Sequence, residues 1–168
     1  MRSHEPPELS QVFGSAFVKI AVLLVIGLAG TLIYRHANKP ELEVINASNI
    51  VLQRHNDGHY HVSGSINGAP VKFMLDTGAS MVSVSKEVAR QAGLECEVSA
   101  TFSTANGKVE GCVAEREEVV FGAFRVFDVD IAIMPGMDST ALLGMNVLGK
   151  FDLQQSNGTL SIQAKQVK

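Results

Sequence analysis

The run Leu75-Asp76-Thr77-Gly78-Ala79-Ser80 brings together residue types that can do chemistry. It follows an alternating stretch, Pro70 to Leu75, that reads as a strand. Asp76 is thus presented where a buried strand gives way to a tight turn. Thr77 can hydrogen-bond back to the local backbone, and Gly78 permits the angles such a turn needs. A carboxylate held this way can take a proton from water or, when protonated, donate one to a carbonyl oxygen. Doing both at once takes two carboxylates about 3 Å apart that share one proton. The chain has a single Asp-Thr-Gly. Asp138-Ser139-Thr140 lacks the glycine and the preceding apolar strand, and Asp128, Asp130 and Asp152 lack the turn chemistry. The second carboxylate is therefore expected from a second copy, in a two-fold homodimer where one patch meets itself. The bland alternative is a structural turn aspartate that caps local amides.

Other candidates are weaker. His55, His59 and His61 form the only metal-like grouping. His59 and His61 alternate along a probable strand and share a face. Without Cys or a further carboxylate at suitable spacing, they read as an exposed strand face. No metal and no cofactor is expected. Cys96 and Cys112 are either a disulfide, which an oxidising compartment allows, or free buried thiols. Phe73, Phe102, Phe121, Phe124 and Phe127 read as core, with one or two available to line subsites.

The elements that must position Asp76 are short. Ile50 to His55 and His59 to Ile66 flank Asn56-Asp57-Gly58, a hairpin signal. Asn67-Gly68-Ala69 turns into the Asp76 strand. Met81 to Val84 is a further strand. Ser85 reads as the N-cap of a helix from Lys86 to Ala92, with Gly93 past its end. Val98 to Thr104 and Lys108 to Val120 flank Asn106-Gly107, another hairpin. Phe124 to Met134 and Gly158 to Ile162 complete the strands. Many short strands with glycine turns and one or two short helices predict an all-β closed or sandwiched domain.

The chain has 168 residues and a net charge of −3, which is room for one domain and an appendage. No basic run marks a nucleic-acid surface. The expected organisation is a tail at 1–12, a transmembrane helix at 13–34, a polar linker at 35–48 and a folded domain at 49–168. Residues 13–34 carry one charge, Lys19, which can snorkel to the headgroup layer. A cleaved signal peptide is the competing reading, but Ala-x-Ala is absent near residues 28–40. The flanking charges nearly tie. The short tail is expected inside and the domain outside, in the periplasm of a bacterium whose inner membrane holds the helix.

Taken together, three landmarks resemble the retropepsin-like aspartic peptidases, and most closely their bacterial, membrane-anchored branch with one Asp-Thr-Gly per chain. They are Asp76-Thr77-Gly78-Ala79, the hairpin Thr104-Ala105-Asn106-Gly107, and Ala141-Leu142-Leu143-Gly144-Met145-Asn146-Val147-Leu148. The resemblance covers roughly residues 50 to 163. It implies a closed β domain equal to half of an acid protease, with Asp76 catalytic. It implies that Thr77 hydrogen-bonds across the dimer axis and that Gly78 admits the substrate backbone. Residues 104–107 would be a flap rather than an ordinary surface hairpin, and Leu142, Leu143 and Gly144 would back the loop. The implied activity is a membrane-anchored, homodimeric endopeptidase acting on protein or peptide substrates. The alternative is a catalytically silent peptide-binding or dimerisation module. Viral members commonly carry an acid two places after the Asp-Thr-Gly glycine and an Arg after the later glycine. Those places hold Ser80 and Met145 here, so the pair that helps brace the dimer in viral members is absent.

Overall fold

The computed structural model describes residues 9–37, 42–45 and 49–165; between 9 and 37, side chains are described only at 18–33. The chain divides into two units, Met1–Lys39 and Pro40–Lys168.

The first unit contains helix α1, Leu9–Ala37. Its described side chains are exposed, and Lys19 is the one charge among them. Among the described residues, no helix is long and apolar enough to cross a membrane. The expected transmembrane span at 13–34 is therefore not supported here. Of the tail expected at 1–12, residues 1–8 lie outside the described residues and residues 9–12 belong to α1.

In the second unit, eight strands form one sheet in the order β1-β8-β5-β9-β4-β3-β7-β6. They are β1 (Leu42–Val44), β3 (His61–Ile66), β4 (Ala69–Leu75), β5 (Val82–Ser85), β6 (Val98–Thr104), β7 (Gly107–Phe121), β8 (Phe124–Met134) and β9 (Ala141–Leu143). Because β7 also pairs with β8, six of them close into a ring: β8, β5, β9, β4, β3 and β7. The closed, mostly β domain matches the expectation. A smaller sheet runs β10 (Phe151–Ser156), β11 (Thr159–Ala164), β2 (Asn49–Gln53).

The ring closes because its inward residues are large and apolar. Phe73, Phe121, Phe124, Ile66, Ile131 and Leu143 have no exposed surface. Phe121, Phe124 and Phe151 meet in one cluster, with ring centroids 4.7 to 5.5 Å apart. Phe127 and Phe102 are only half-buried. Helix α2, Lys86–Gln91, starts where expected: the Ser85 hydroxyl accepts from the Val88 N–H at 3.2 Å. Gly93 follows it at a φ of +65°, the left-handed stop that favours glycine.

Two expectations about the chain's course are corrected. The turn at Asn56-Asp57-Gly58 forms, but its flanking segments do not pair as a hairpin. They share one bridge, Arg54 with Tyr60. Beyond it β2 leaves for β11, setting Ile50 opposite Ile162 and Leu52 opposite Leu160. Cross-strand apolar pairing selects that partner; the turn sequence fixes only the local reversal. The linker expectation at 35–48 also changes. Residues 42–44 within it form β1, which pairs antiparallel with β8 and packs Leu42 against the core. Residues 38–41 and 46–48 lie outside the described set.

Candidate active site

Strand β4 delivers Asp76 to the rim of the ring. β9 lies parallel beside it, with Leu75 opposite Leu143, and the Asp76 N–H donates to the Leu143 carbonyl at 3.1 Å. On the other flank the Leu75 N–H donates to the Tyr60 carbonyl at 3.0 Å. The carboxylate is then fixed by its own turn: Oδ1 accepts from the Gly78 N–H at 2.8 Å. A Cβ at Gly78 would stand 3.1 Å from that oxygen, so a side chain there would crowd the carboxylate. Asp76 is half-buried, and its Oδ2 has no hydrogen-bond donor within the described residues.

The backing segment packs as expected. Leu143 is fully buried, and Leu142 is half-buried and reaches the cleft. Gly144 has a packing reason to be glycine, because a Cβ there would overlap the Met81 backbone. Past it the chain enters α3, Met145–Leu148. The Met145 N–H donates to the Ala79 carbonyl at 2.8 Å, and the Asn146 N–H to the Ser80 carbonyl at 3.0 Å. Ser80 and Met145, where viral members carry a charged pair, thus stand in segments held together by main-chain bonds.

Asn146 is the residue whose role sequence reasoning missed. Its Oδ1 accepts from the Val82 N–H at 2.9 Å, and its Nδ2 donates to the Asp130 carbonyl at 2.8 Å. It therefore ties the loop after Asp76 to β5 and β8. The available signal was one amide in an otherwise apolar run.

Asp76, Gly78, Ala79, Ser80, Met81 and Ser83 form one wall of a cleft of about 370 Å³, whose other walls include Phe102, Ser103, Thr104, Ala105, Met134 and Leu142. Of the residues expected in the flap, Thr104 and Ala105 line the cleft and Asn106 and Gly107 do not. The hairpin itself is tight. Thr104 pairs with Gly107, the Thr104 hydroxyl accepts from the Asn106 N–H at 3.2 Å, and it donates to the Gly107 carbonyl at 2.9 Å. Thr77 is exposed and belongs instead to a second cavity, with Tyr60, Leu75, Leu148, Leu153, Gln155 and Leu160. Among the described residues, Asp76 is the only carboxylate lining the cleft.

A larger cavity, about 570 Å³, lies between α2 and β7 and contains no residue of the Asp76 loop. Volume alone would favour it; the turn-held carboxylate favours the smaller cleft. Cys96 and Cys112 border the larger cavity and are joined in a disulfide, with Cα atoms 5.5 Å apart. The bond links the residues just before β6 to β7, at the base of the hairpin over the cleft. Two carboxylates elsewhere are held below their usual range. Asp57 falls to about 2, chiefly through the hydrogen bond from the His59 N–H and then that with His61. Glu87 is lowered by hydrogen bonds from Arg90 and Gln91.

A family model described as gag-polyprotein putative aspartyl protease matches residues 62–150. Uncharacterized protein RP867 of Rickettsia prowazekii is 32% identical over 106 residues, covering 61% of this chain and 45% of that protein. An uncharacterized protein in the cobV 5' region of Sinorhizobium sp is 28% identical over 111 residues, or 63% of this chain and 47% of that protein. The chain thus spans about half the length of the curated relatives it matches. The crystal structure of a retropepsin-like aspartic protease from Rickettsia conorii superposes with a TM-score of 0.61 at 27% identity, over 74% of this chain and 92% of that one.

Proposed function

We propose, for a chain that belongs to the retropepsin-like aspartic protease family, that it is an endopeptidase assembled from two copies. The observation that carries the reading is a cleft with one carboxylate, Asp76, held by its own turn and facing a hairpin. A second copy related by two-fold symmetry supplies the missing partner. In the pair, one carboxylate is ionised and takes a proton from a water, which attacks the peptide carbonyl. The other is protonated and hydrogen-bonds the carbonyl oxygen. The proton taken from water then goes to the leaving nitrogen as the C–N bond breaks. The two apparent pKa values belong to the pair. Thr77, exposed and outside the cleft lining, is suited to meet the partner loop. Phe102, Met134 and Leu142 favour an apolar substrate side chain in the cleft.

The reading extends to anchoring by residues 13–34, supported by the exposed apolar side chains from Ile20 to Ile33, and to a domain outside the membrane, supported by the disulfide. Tethering to one membrane would raise effective concentration and favour the pair.

The test uses the full chain in detergent, with wild type and Asp76→Asn assayed against a peptide library. Asp76→Asn should lose cleavage by about 100-fold or more while sedimenting as a dimer. Specific activity of the wild type should fall on dilution. Undiminished cleavage by the variant overturns the assignment, and activity per chain that is independent of concentration overturns the two-chain site.

A further inference from the structure

The turn between β2 and β3 gathers three groups that can each offer a metal-ligand atom: His55, Asp57 and His61. Those atoms all lie within 4.8 Å of one another. His61 Nε2 stands 2.7 Å from Asp57 Oδ2, and His55 Nδ1 stands 3.5 Å from the same oxygen. The two rings meet edge to face, with centroids 5.3 Å apart.

The backbone builds this arrangement. The His55 N–H donates to the His59 carbonyl at 2.8 Å, and the Gly58 N–H to the His55 carbonyl at 2.9 Å. Asp57 Oδ1 is occupied by the His59 N–H at 2.9 Å, so Oδ2 is the oxygen turned toward the rings. His61 enters from β3, where its register opposite Met74 fixes its position. His59, the residue that sequence spacing paired with His61, supplies main-chain groups only; Asp57 and His55 take its place.

We propose that His55, Asp57 and His61 form a site for a divalent transition-metal ion of the zinc class, with water completing a four-coordinate shell. Two imidazoles and one carboxylate suit zinc, nickel or copper, whereas calcium and magnesium call for oxygen ligands. Tetrahedral bonds of about 2.0–2.2 Å put ligand atoms roughly 3.3 Å apart. The observed spacings reach that by small ring adjustments at an exposed turn. His61 Nδ1 is buried and has no hydrogen-bond partner. A ligating histidine normally donates from that position, and its lack lowers affinity by about 10–100-fold, so the site is of moderate strength. A bound ion would pin the turn beside Tyr60, whose carbonyl accepts from Leu75, the residue before Asp76.

The test is zinc titration by calorimetry of the full chain in detergent, without a histidine tag and stripped by chelator. Visible absorption with cobalt reports the coordination. One ion per chain should bind, with a tetrahedral cobalt spectrum and a raised Tm. His55→Gln and Asp57→Asn, both at exposed positions, should each weaken binding by about tenfold or more, and His59→Gln should not. No uptake at millimolar zinc overturns the site, as does undiminished binding in both ligand variants. Uptake is read without any peptidase assay, so it stands or falls separately from the catalytic reading.

Discussion

At the residue scale, Asp76 is held by its own turn and by the segments packed around it. Gly78 fixes one oxygen, β9 fixes the main chain, and Asn146 fixes the loop that follows. Asn146→Ala should leave the Val82 N–H and the Asp130 carbonyl short of a partner. That costs about 1–3 kcal/mol of stability, measurable by urea denaturation. Peptide turnover should fall with KM little changed, because Asn146 is absent from the cleft lining.

At the element scale, the hairpin of β6 and β7 has a tip closed by its own hydrogen bonds and a base closed by the disulfide. The bond closes a loop with a sequence separation of 16. Replacing both Cys96 and Cys112 with Ala should therefore lower unfolding free energy by about 3 kcal/mol in the chain-entropy account. Urea denaturation of the oxidised wild type beside the double variant checks this. Helix α2 gives a pH prediction. Glu87 in its first turn has a depressed pKa because Arg90 and Gln91 donate to it. A depressed carboxylate contributes stability above its ordinary value of 4.5, and loses that contribution as pH falls through the lower folded value. Wild type should thus be slightly more stable than Glu87→Gln at neutral pH, and the two should converge in acid. The difference is small, because the pair is exposed.

At the scale of the whole molecule, the cleft beside the Asp-Thr-Gly turn contains a single carboxylate among the described residues, and this mismatch between fold and chemistry motivates the two-chain reading. If the two Asp76 groups share a proton, the rate profile should be bell-shaped and shifted toward acid. A flat profile through neutral pH would count against a shared proton. At this scale too, the smaller sheet joins β2, from the start of the domain, to β10 and β11 at its end, and it borders the cavity that contains Thr77.

Local sequence determined the local features: the Asp-Thr-Gly turn, the Ser85 cap, the tight turn after Thr104, and the alternation that makes β4 and β8 strands. Each depends on residues within a few positions of one another, so composition and spacing suffice. β10 was not legible, since Asp152, Gln154 and Gln155 dilute its apolar pattern. Long-range contacts decided the rest. They sent β2 to β11 instead of β3, drew residues 42–44 onto β8, joined Cys96 to Cys112 and gave Asn146 its bonds. Those outcomes depend on which apolar surfaces meet when the ring closes. That is a property of the assembled core, and no short stretch of the chain carries it.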